Sequence, residues 1–265
     1  MLVHPAARHV ARKLMPNLAA SRAISYERQF RAARGVPKVA RKVSATLGRS
    51  VAAGPFSGLL LPEDFEESIA SPVAKLAGVY EHQLQDALEQ VIATGPICVA
   101  NVGCADGYYA VGLALRLPGA EVLAYDIAKE ARVMTSRLAQ QNGVASRVHV
   151  FGRCRAFKSQ TQLIVCDIEG GEDALLNPSR VPSRSALLVE THDHVVPGVT
   201  ADLIRRFAPT HDVNVIHHGS SAVPPSLEWL SAEELAIAMD EMRGQADQSW
   251  LVMTPQPYNR ETAGK

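Results

Sequence analysis

From about residue 75 onward, short apolar runs alternate with stretches in which apolar residues recur at helical spacing. Runs at 97–102, 121–125, 148–151, 162–166, 186–189, 213–216 and 248–253 read as strands, because they are brief, rich in Val, Leu and Ile, and mostly bounded by turn formers. Between them lie helical patterns. Residues 75–92 carry a stripe of Leu76, Val79, Tyr80, Leu84, Leu88 and Val91. Val111, Leu113, Ala114 and Leu117 follow the first strand and stop at Pro118-Gly119. A third pattern, 129–141, closes at Asn142-Gly143. Thr200 opens a helix to Phe207, and Ser231 with Glu234 forms a capping box for a helix from 232 to about 242. Regular alternation of this kind predicts an α/β fold.

The junction at 97–116 carries the first chemical signal. A strand runs into the small-residue turn Gly103, Cys104, Ala105, Asp106 and Gly107, and a helix follows. Such a turn aims backbone N–H groups and the positive helix end at a ligand above the sheet. It reads as a cofactor cradle, in which bulk at Gly103 is expected to block the cofactor while sparing the fold. About twenty residues on, the second strand ends in Asp126, whose carboxylate can accept from both hydroxyls of a ribose. NAD and S-adenosylmethionine (SAM) both present that ribose. A dinucleotide site wants a third glycine at position 108, where this chain has Tyr108, so NAD is disfavoured.

Over residues 80–255 the chain resembles a class I SAM-dependent methyltransferase. The family's first motif is an acid followed by alternating glycines; here Asn101 replaces the acid, Ala105 the middle glycine, and Gly103 and Gly107 remain. More narrowly, Asp167-Ile168-Glu169-Gly170-Gly171-Glu172 is similar to the Asp-x-Glu-Gly-x-Glu signature of FkbM-like methyltransferases, many of which methylate hydroxyl oxygens. The resemblance implies a Rossmann-like, seven-stranded, mostly parallel sheet flanked by helices, with the last strand inserted antiparallel. It implies SAM as cofactor and a small hydroxyl-bearing substrate such as a sugar or secondary metabolite. Asn101, Gly103, Cys104, Ala105, Asp106, Gly107 and Asp126 would line the cofactor, Ile127 would pack on the adenine, and Arg153 or Cys154 stands where the family often has an adenine-reading Asp. Asp167, Glu169 and Glu172 could bind the SAM amino group, orient a substrate hydroxyl or hold a divalent ion, with Asp167 counted among the cofactor residues. Tyr80 and Glu81, before the first strand, are further candidates for SAM contact, with core packing the favoured reading of Tyr80.

Polar residues at the fourth and fifth strand tips are candidates for the chemistry. Asp167 and Glu169 follow the fourth strand, and Glu190, His192, Asp193 and His194 end the fifth. Such groups are costly to bury unpaired, so they are expected to face the cleft. His192 or Glu169 would accept the substrate proton, with Glu190 orienting the imidazole from two positions away on the same strand face. Glu172 reads as a cap for the helix after it. Mixed His and carboxylate ligands also suit a divalent metal, but hydrogen bonding and proton transfer are the commoner use, and no metal is assigned.

Composition narrows the class. Of 265 residues 47% are hydrophobic and 20% charged, ordinary for a globular chain, and no apolar run approaches the roughly 18 residues of a membrane span. The formal net charge of zero hides an asymmetry: residues 1–49 hold eleven Lys or Arg against a single acid, Glu27. This start reads as a basic helical extension, suited to an anionic surface of lipid or nucleic acid or merely solvated, and its composition also matches an organelle transit peptide. A methyltransferase-fold protein that only binds such a surface is the non-catalytic alternative. Cys98, Cys104, Cys154 and Cys166 lack paired metal spacing and read as reduced thiols of a cytoplasmic protein, small buried filler more readily than nucleophiles. The expected divisions are an extension at 1–52, a linker and lead-in helix at 53–94, a SAM-binding domain at 95–255 and a tail at 256–265.

Overall fold

The computed structural model describes residues 16–219, 222–241 and 248–257, with side chains from residue 24 onward. Seven strands form one sheet: β1 (Cys98–Val102), β2 (Glu121–Tyr125), β3 (Val148–Phe151), β4 (Leu163–Cys166), β5 (Ala186–His192), β6 (His211–His217) and β7 (Gln248–Pro255). Their spatial order is β3-β2-β1-β4-β5-β7-β6. β1 through β5 pair in parallel, and β7 lies antiparallel between β5 and β6. This is the Rossmann-like methyltransferase architecture. The order reverses between β1 and β4, so the crevice for a ligand opens at the carboxyl ends of those strands.

Helices cover both faces. They are α1 (Pro16–Ala33), α2 (Val36–Leu47), α3 (Phe65–Ser68), α4 (Pro72–Ala77), α5 (Gln85–Ala93), α6 (Tyr108–Arg116), α7 (Lys129–Gln141), α8 (Glu172–Leu175), α9 (Val199–Phe207) and α10 (Ala232–Ala238). Strand alternation divides the core into two clusters. Val99, Val122, Val165 and Leu188 face one, shared with α2 and α4–α7; Ala100, Ile164, Leu187 and Val189 face the other, beneath α9.

The single helix expected over 75–92 is three pieces. Pro72 starts α4 early, Gly78 ends it in the left-handed region (φ 77°), and a 3-10 turn at His82–Leu84 leads into α5. The apolar stripe survives the break, since Leu76, Leu84, Leu88 and Val91 all remain in the core. The capping box at Ser231 and Glu234 is formed, although α10 ends at Ala238. No helix among the described residues is long and apolar enough to cross a membrane.

The described part of the basic N-terminal stretch packs onto the sheet domain. α2 buries Val36, Val39, Ala40 and Val43. Two of its cations make surface ion pairs, Arg41 with Glu67 at 2.9 Å and Lys42 with Glu234 at 2.7 Å, while Arg34, just before the helix, pairs with Asp240 at 2.7 Å. The rest of the basic stretch, residues 1–23, has its side chains outside the described residues, and with them the part of the anionic-surface expectation that falls there.

Candidate active site

The loop after β1 is held to the tip of β2. Gly103 and Cys104 donate their N–H groups to the Tyr125 carbonyl at 2.8 and 3.0 Å, and Gly107 donates to Cys104 O at 2.7 Å. Ala105 takes the left-handed region (φ 47°), an unfavourable place for a Cβ, and its N–H reaches Asp126 Oδ2 at 3.1 Å. Asp126 Oδ1 accepts from Ala128 N–H at 2.8 Å. Burial raises the Asp126 pKa, and the two backbone donors and Arg132 offset part of that rise. Asp126 thus bridges the loop and the start of α7, with lone pairs still open to a ligand.

One expected cofactor residue, Asp106, has other partners. Asp106 is buried, accepts from Lys75 Nζ at 2.6 Å, and takes the Tyr108 N–H at 3.2 Å. Lys75 in turn lies over the rings of Tyr80 and Tyr108 at 4.7 and 5.3 Å. The loop is therefore anchored from below by an ion pair that nothing in the spacing announced. Arg153 is exposed beyond β3, and Cys154 turns into the core under β1 and β4. Ile127 is half-buried beside Asp126, and Tyr125 stacks on Phe151 at 5.4 Å, adding aromatic surface at the β2 and β3 tips. Asn101 is buried in β1 with Oδ1 unpartnered.

Gly103 is needed for a reason other than cofactor bulk. Its φ is 81°, and a Cβ there would overlap the carbonyl oxygen of Asp167 at the end of β4. The expectation that bulk at Gly103 spares the fold is overturned, because the colliding group is backbone. The same contact makes the β1 loop and the β4 tip one wall.

At that wall the acidic and imidazole groups converge. His192 is fully buried, with Nδ1 3.0 Å from Glu172 Oε1. Its Nε2 lies 3.5 Å from Asp167 Oδ1, 3.8 Å from Glu190 Oε2 and 3.9 Å from Glu169 Oε1. Glu190 also meets His218 Nε2 through Oε1 at 3.0 Å. Burial lowers the His192 pKa, but the Glu172 hydrogen bond and the Glu169 and Glu190 charges outweigh it and leave the pKa raised. Asp167 is held well above the carboxylate range by burial first and then by Glu190, Glu169 and Glu81.

Sequence reasoning brought Asp167, Glu169, Glu190 and His192 to one place, and the structure agrees on that convergence. It missed Glu172. Read as a helix cap, Glu172 is fully buried; its Oε1 takes the N–H groups of Ile168 and Gly170, each at 3.2 Å, as well as the imidazole. The available signal was its place as the last acid of the Asp-x-Glu-Gly-x-Glu run. His218 and Lys75 carried no such signal. Asp193 is apart from the cluster: it accepts from Gly198 N–H at 3.0 Å and from the Thr200 hydroxyl, fixing the start of α9. Glu81 is buried with the Tyr109 hydroxyl on its carboxylate, and Tyr80 packs in the core against Lys75.

α1 runs beside this region. Arg28 reaches Ser68 O at 3.4 Å and Met134 Sδ at 3.2 Å, and Arg31, 5% exposed, pairs with Glu27 at 3.6 Å. Burial raises the Glu27 pKa; Arg31 lowers it and Glu169 raises it. A cavity of about 340 Å³ lies between α1 and α7, lined by Arg28, Ile69, Asp106, Lys129, Met134 and Arg137.

No protein-family model matches the chain, and no curated protein matches it. Solved structures do. StiE O-MT (residues 961–1257) aligns at 13% identity over 71% of this chain and 78% of that one, with a TM-score of 0.48. Cofactor-bound Rv0187 from MTB aligns at 14% identity over 96% and 99%, with a TM-score of 0.46. A methyltransferase from Geobacter sulfurreducens aligns at 13% identity over 63% and 76%, with a TM-score of 0.44. At these identities the likeness concerns the fold alone.

Proposed function

We propose that the protein is a SAM-dependent methyltransferase of FkbM-like type that methylates a hydroxyl oxygen of a small substrate. The observation that carries this reading is the contact between Gly103 and the Asp167 carbonyl, which joins the ribose-ready loop and Asp126 to the cluster around His192. A cofactor above the loop then has its reactive end beside the groups that receive a hydroxyl. When bound, SAM supplies an electrophilic methyl group.

The donor set fits that cofactor. Asp126 presents a carboxylate to paired hydroxyls, Ile127 and the Tyr125–Phe151 stack offer a flat apolar flank for adenine, and the partly buried Asp167 faces the amino-acid end. Asn101 lies under the loop with an unsatisfied oxygen, and Gly103, Cys104, Ala105 and Gly107 provide a narrow backbone ledge. Asp106 supports that ledge through Lys75 and is not assigned a contact with the cofactor. The chain's contribution to rate is positioning and water exclusion, with His192 or Glu169 accepting the hydroxyl proton and Glu172 and Glu190 fixing the imidazole.

Thermal shift and calorimetry with SAM, S-adenosylhomocysteine and NAD test the reading. SAM and S-adenosylhomocysteine are expected to stabilise the protein and NAD to leave it unchanged. Stabilisation by NAD alone would replace the methyltransferase reading with an oxidoreductase. Binding of SAM without transfer of its labelled methyl to any hydroxyl in a broad acceptor panel would favour the non-catalytic alternative.

A further inference from the structure

We propose that Asp167, Glu190 and His192 form a binding site for one hard divalent cation of the magnesium or manganese class. One ligand atom from each lies within 4.8 Å of the other two. The Nε2–Oδ1 and Nε2–Oε2 separations are 3.5 and 3.8 Å. An octahedral ion with bonds of about 2.1–2.4 Å holds neighbouring ligands roughly 3.0–3.4 Å apart and opposite ones at about twice the bond length. The triangle therefore needs only a small contraction to close on an ion.

An acidic cluster alone would not carry this. The independent observation is His192, a fully buried side chain whose Nε2 has no hydrogen-bond partner and points into the carboxylates. Asp167 Oδ1, facing it, is likewise buried and unpartnered. Buried polar atoms are paired in nearly all folded proteins, so two of them aimed at each other ask for a common partner. Glu172 Oε1 already accepts backbone N–H groups, so His192 Nδ1 donates to it and Nε2 is the ring nitrogen turned to the site.

The surroundings have the form that supports metal ligands. A ligating imidazole usually passes its other N–H to a carboxylate, here Glu172, and a ligating carboxylate is itself hydrogen-bonded, here Glu190 by His218. Two carboxylates and one imidazole favour an oxygen-preferring ion over a thiolate-seeking one. The cysteine nearest in sequence, Cys166, points into the opposite core cluster.

The proposal rests on the methyl-transfer reading for what the cation does, and not for whether it binds. With Nε2 occupied, His192 becomes a ligand and no longer a base. Acceptance of the substrate proton then passes to Glu169, whose side chain is 61% exposed and whose Oε1 lies 3.9 Å from Nε2.

Manganese titration of the chelator-stripped full chain, followed by loss of the free-ion electron paramagnetic resonance signal without SAM, tests the site. The parent is expected to take up one Mn²⁺ per chain. Asp167→Asn and His192→Gln should each weaken binding more than about 10-fold, and Glu172→Gln, which meets the imidazole from behind and also accepts the Ile168 and Gly170 N–H groups, by about 10–100-fold. Asp126→Ala should bind Mn²⁺ as the parent does. Should His192→Gln not fold, Asp167→Asn, whose side chain is 37% exposed, keeps the test decisive. Mn²⁺ that stays free in a parent that binds SAM removes the cation site and leaves the methyl-transfer reading. Parent-like binding by folded Asp167→Asn also removes it. Uptake of one Mn²⁺ by a parent that ignores SAM supports the site and removes the methyl-transfer reading instead.

Discussion

Lys75 and Asp106 form a buried ion pair at 2.6 Å, joining α4 to the loop that follows β1. Both side chains are almost wholly shielded, at 4% and 6% exposure, and Tyr80 and Tyr108 flank the ammonium. A pair taken so far out of water holds its place only while both members are present. Lys75→Met or Asp106→Asn should each destabilise the protein by about 3–5 kcal/mol, because each strands a buried charge. The double variant Lys75→Met/Asp106→Leu should lose much less than the sum. Chemical denaturation of the four proteins checks this, and additive losses would mean that the two residues act independently.

Gly103→Ala should unfold the protein more easily before it affects any ligand. The Cβ would overlap the Asp167 carbonyl, and the φ of 81° is strained for alanine in any case. The expected loss is at least about 3 kcal/mol in denaturant unfolding. A variant as stable as the parent would show that β1 and β4 separate at their tips.

Asp126→Ala tests the cofactor assignment. Removing a carboxylate that also anchors Ala105 and Ala128 N–H groups should weaken SAM and S-adenosylhomocysteine by about 1–3 kcal/mol in calorimetry. An unchanged dissociation constant in a folded variant would move the ribose elsewhere.

Cys104 and Cys154 should be inert. Burial pushes their thiols up to about 12 and about 11, so thiolate is scarce at neutral pH. Neither should react with iodoacetamide in the native protein, and both should react once it is unfolded, as peptide mass mapping would read. Rapid native alkylation of Cys104 would restore it as a candidate nucleophile.

His211 supplies a pH signature. Burial lowers its pKa below the ordinary 6.5, against a smaller opposing effect from the Ser185 carbonyl. The folded state then binds fewer protons than the unfolded state between the lowered value and 6.5, so this residue's contribution is intact above 6.5 and is lost as pH falls through that window. The parent should lose more stability than His211→Asn over the same acidification. Parallel pH profiles of the two unfolding free energies would rule out a buried neutral His211.

By itself the sequence determined the sheet and the convergence of its acidic tips. Short apolar runs bounded by turn residues are local signals, and they located β1, β2 and β3 to within a residue, as the 3.6-residue pattern did α7. The antiparallel insertion of β7 followed from the resemblance and agrees with the structure. Asp167, Glu169, Glu190 and His192 were legible because strand ends in an open α/β sheet point at one crevice. Only the tertiary structure decided how those groups pair. Glu172 meets His192 twenty positions away, His218 meets Glu190 across twenty-eight, and Lys75 meets Asp106 across thirty-one. A helical or strand period reports which face a residue takes, whereas a pair of this kind depends on which two elements the packed core brings side by side. Gly103 makes the same point. Its spacing marked a loop that must be small, but the atom it must avoid is the carbonyl of Asp167, and only the pairing of β1 with β4 puts that oxygen there.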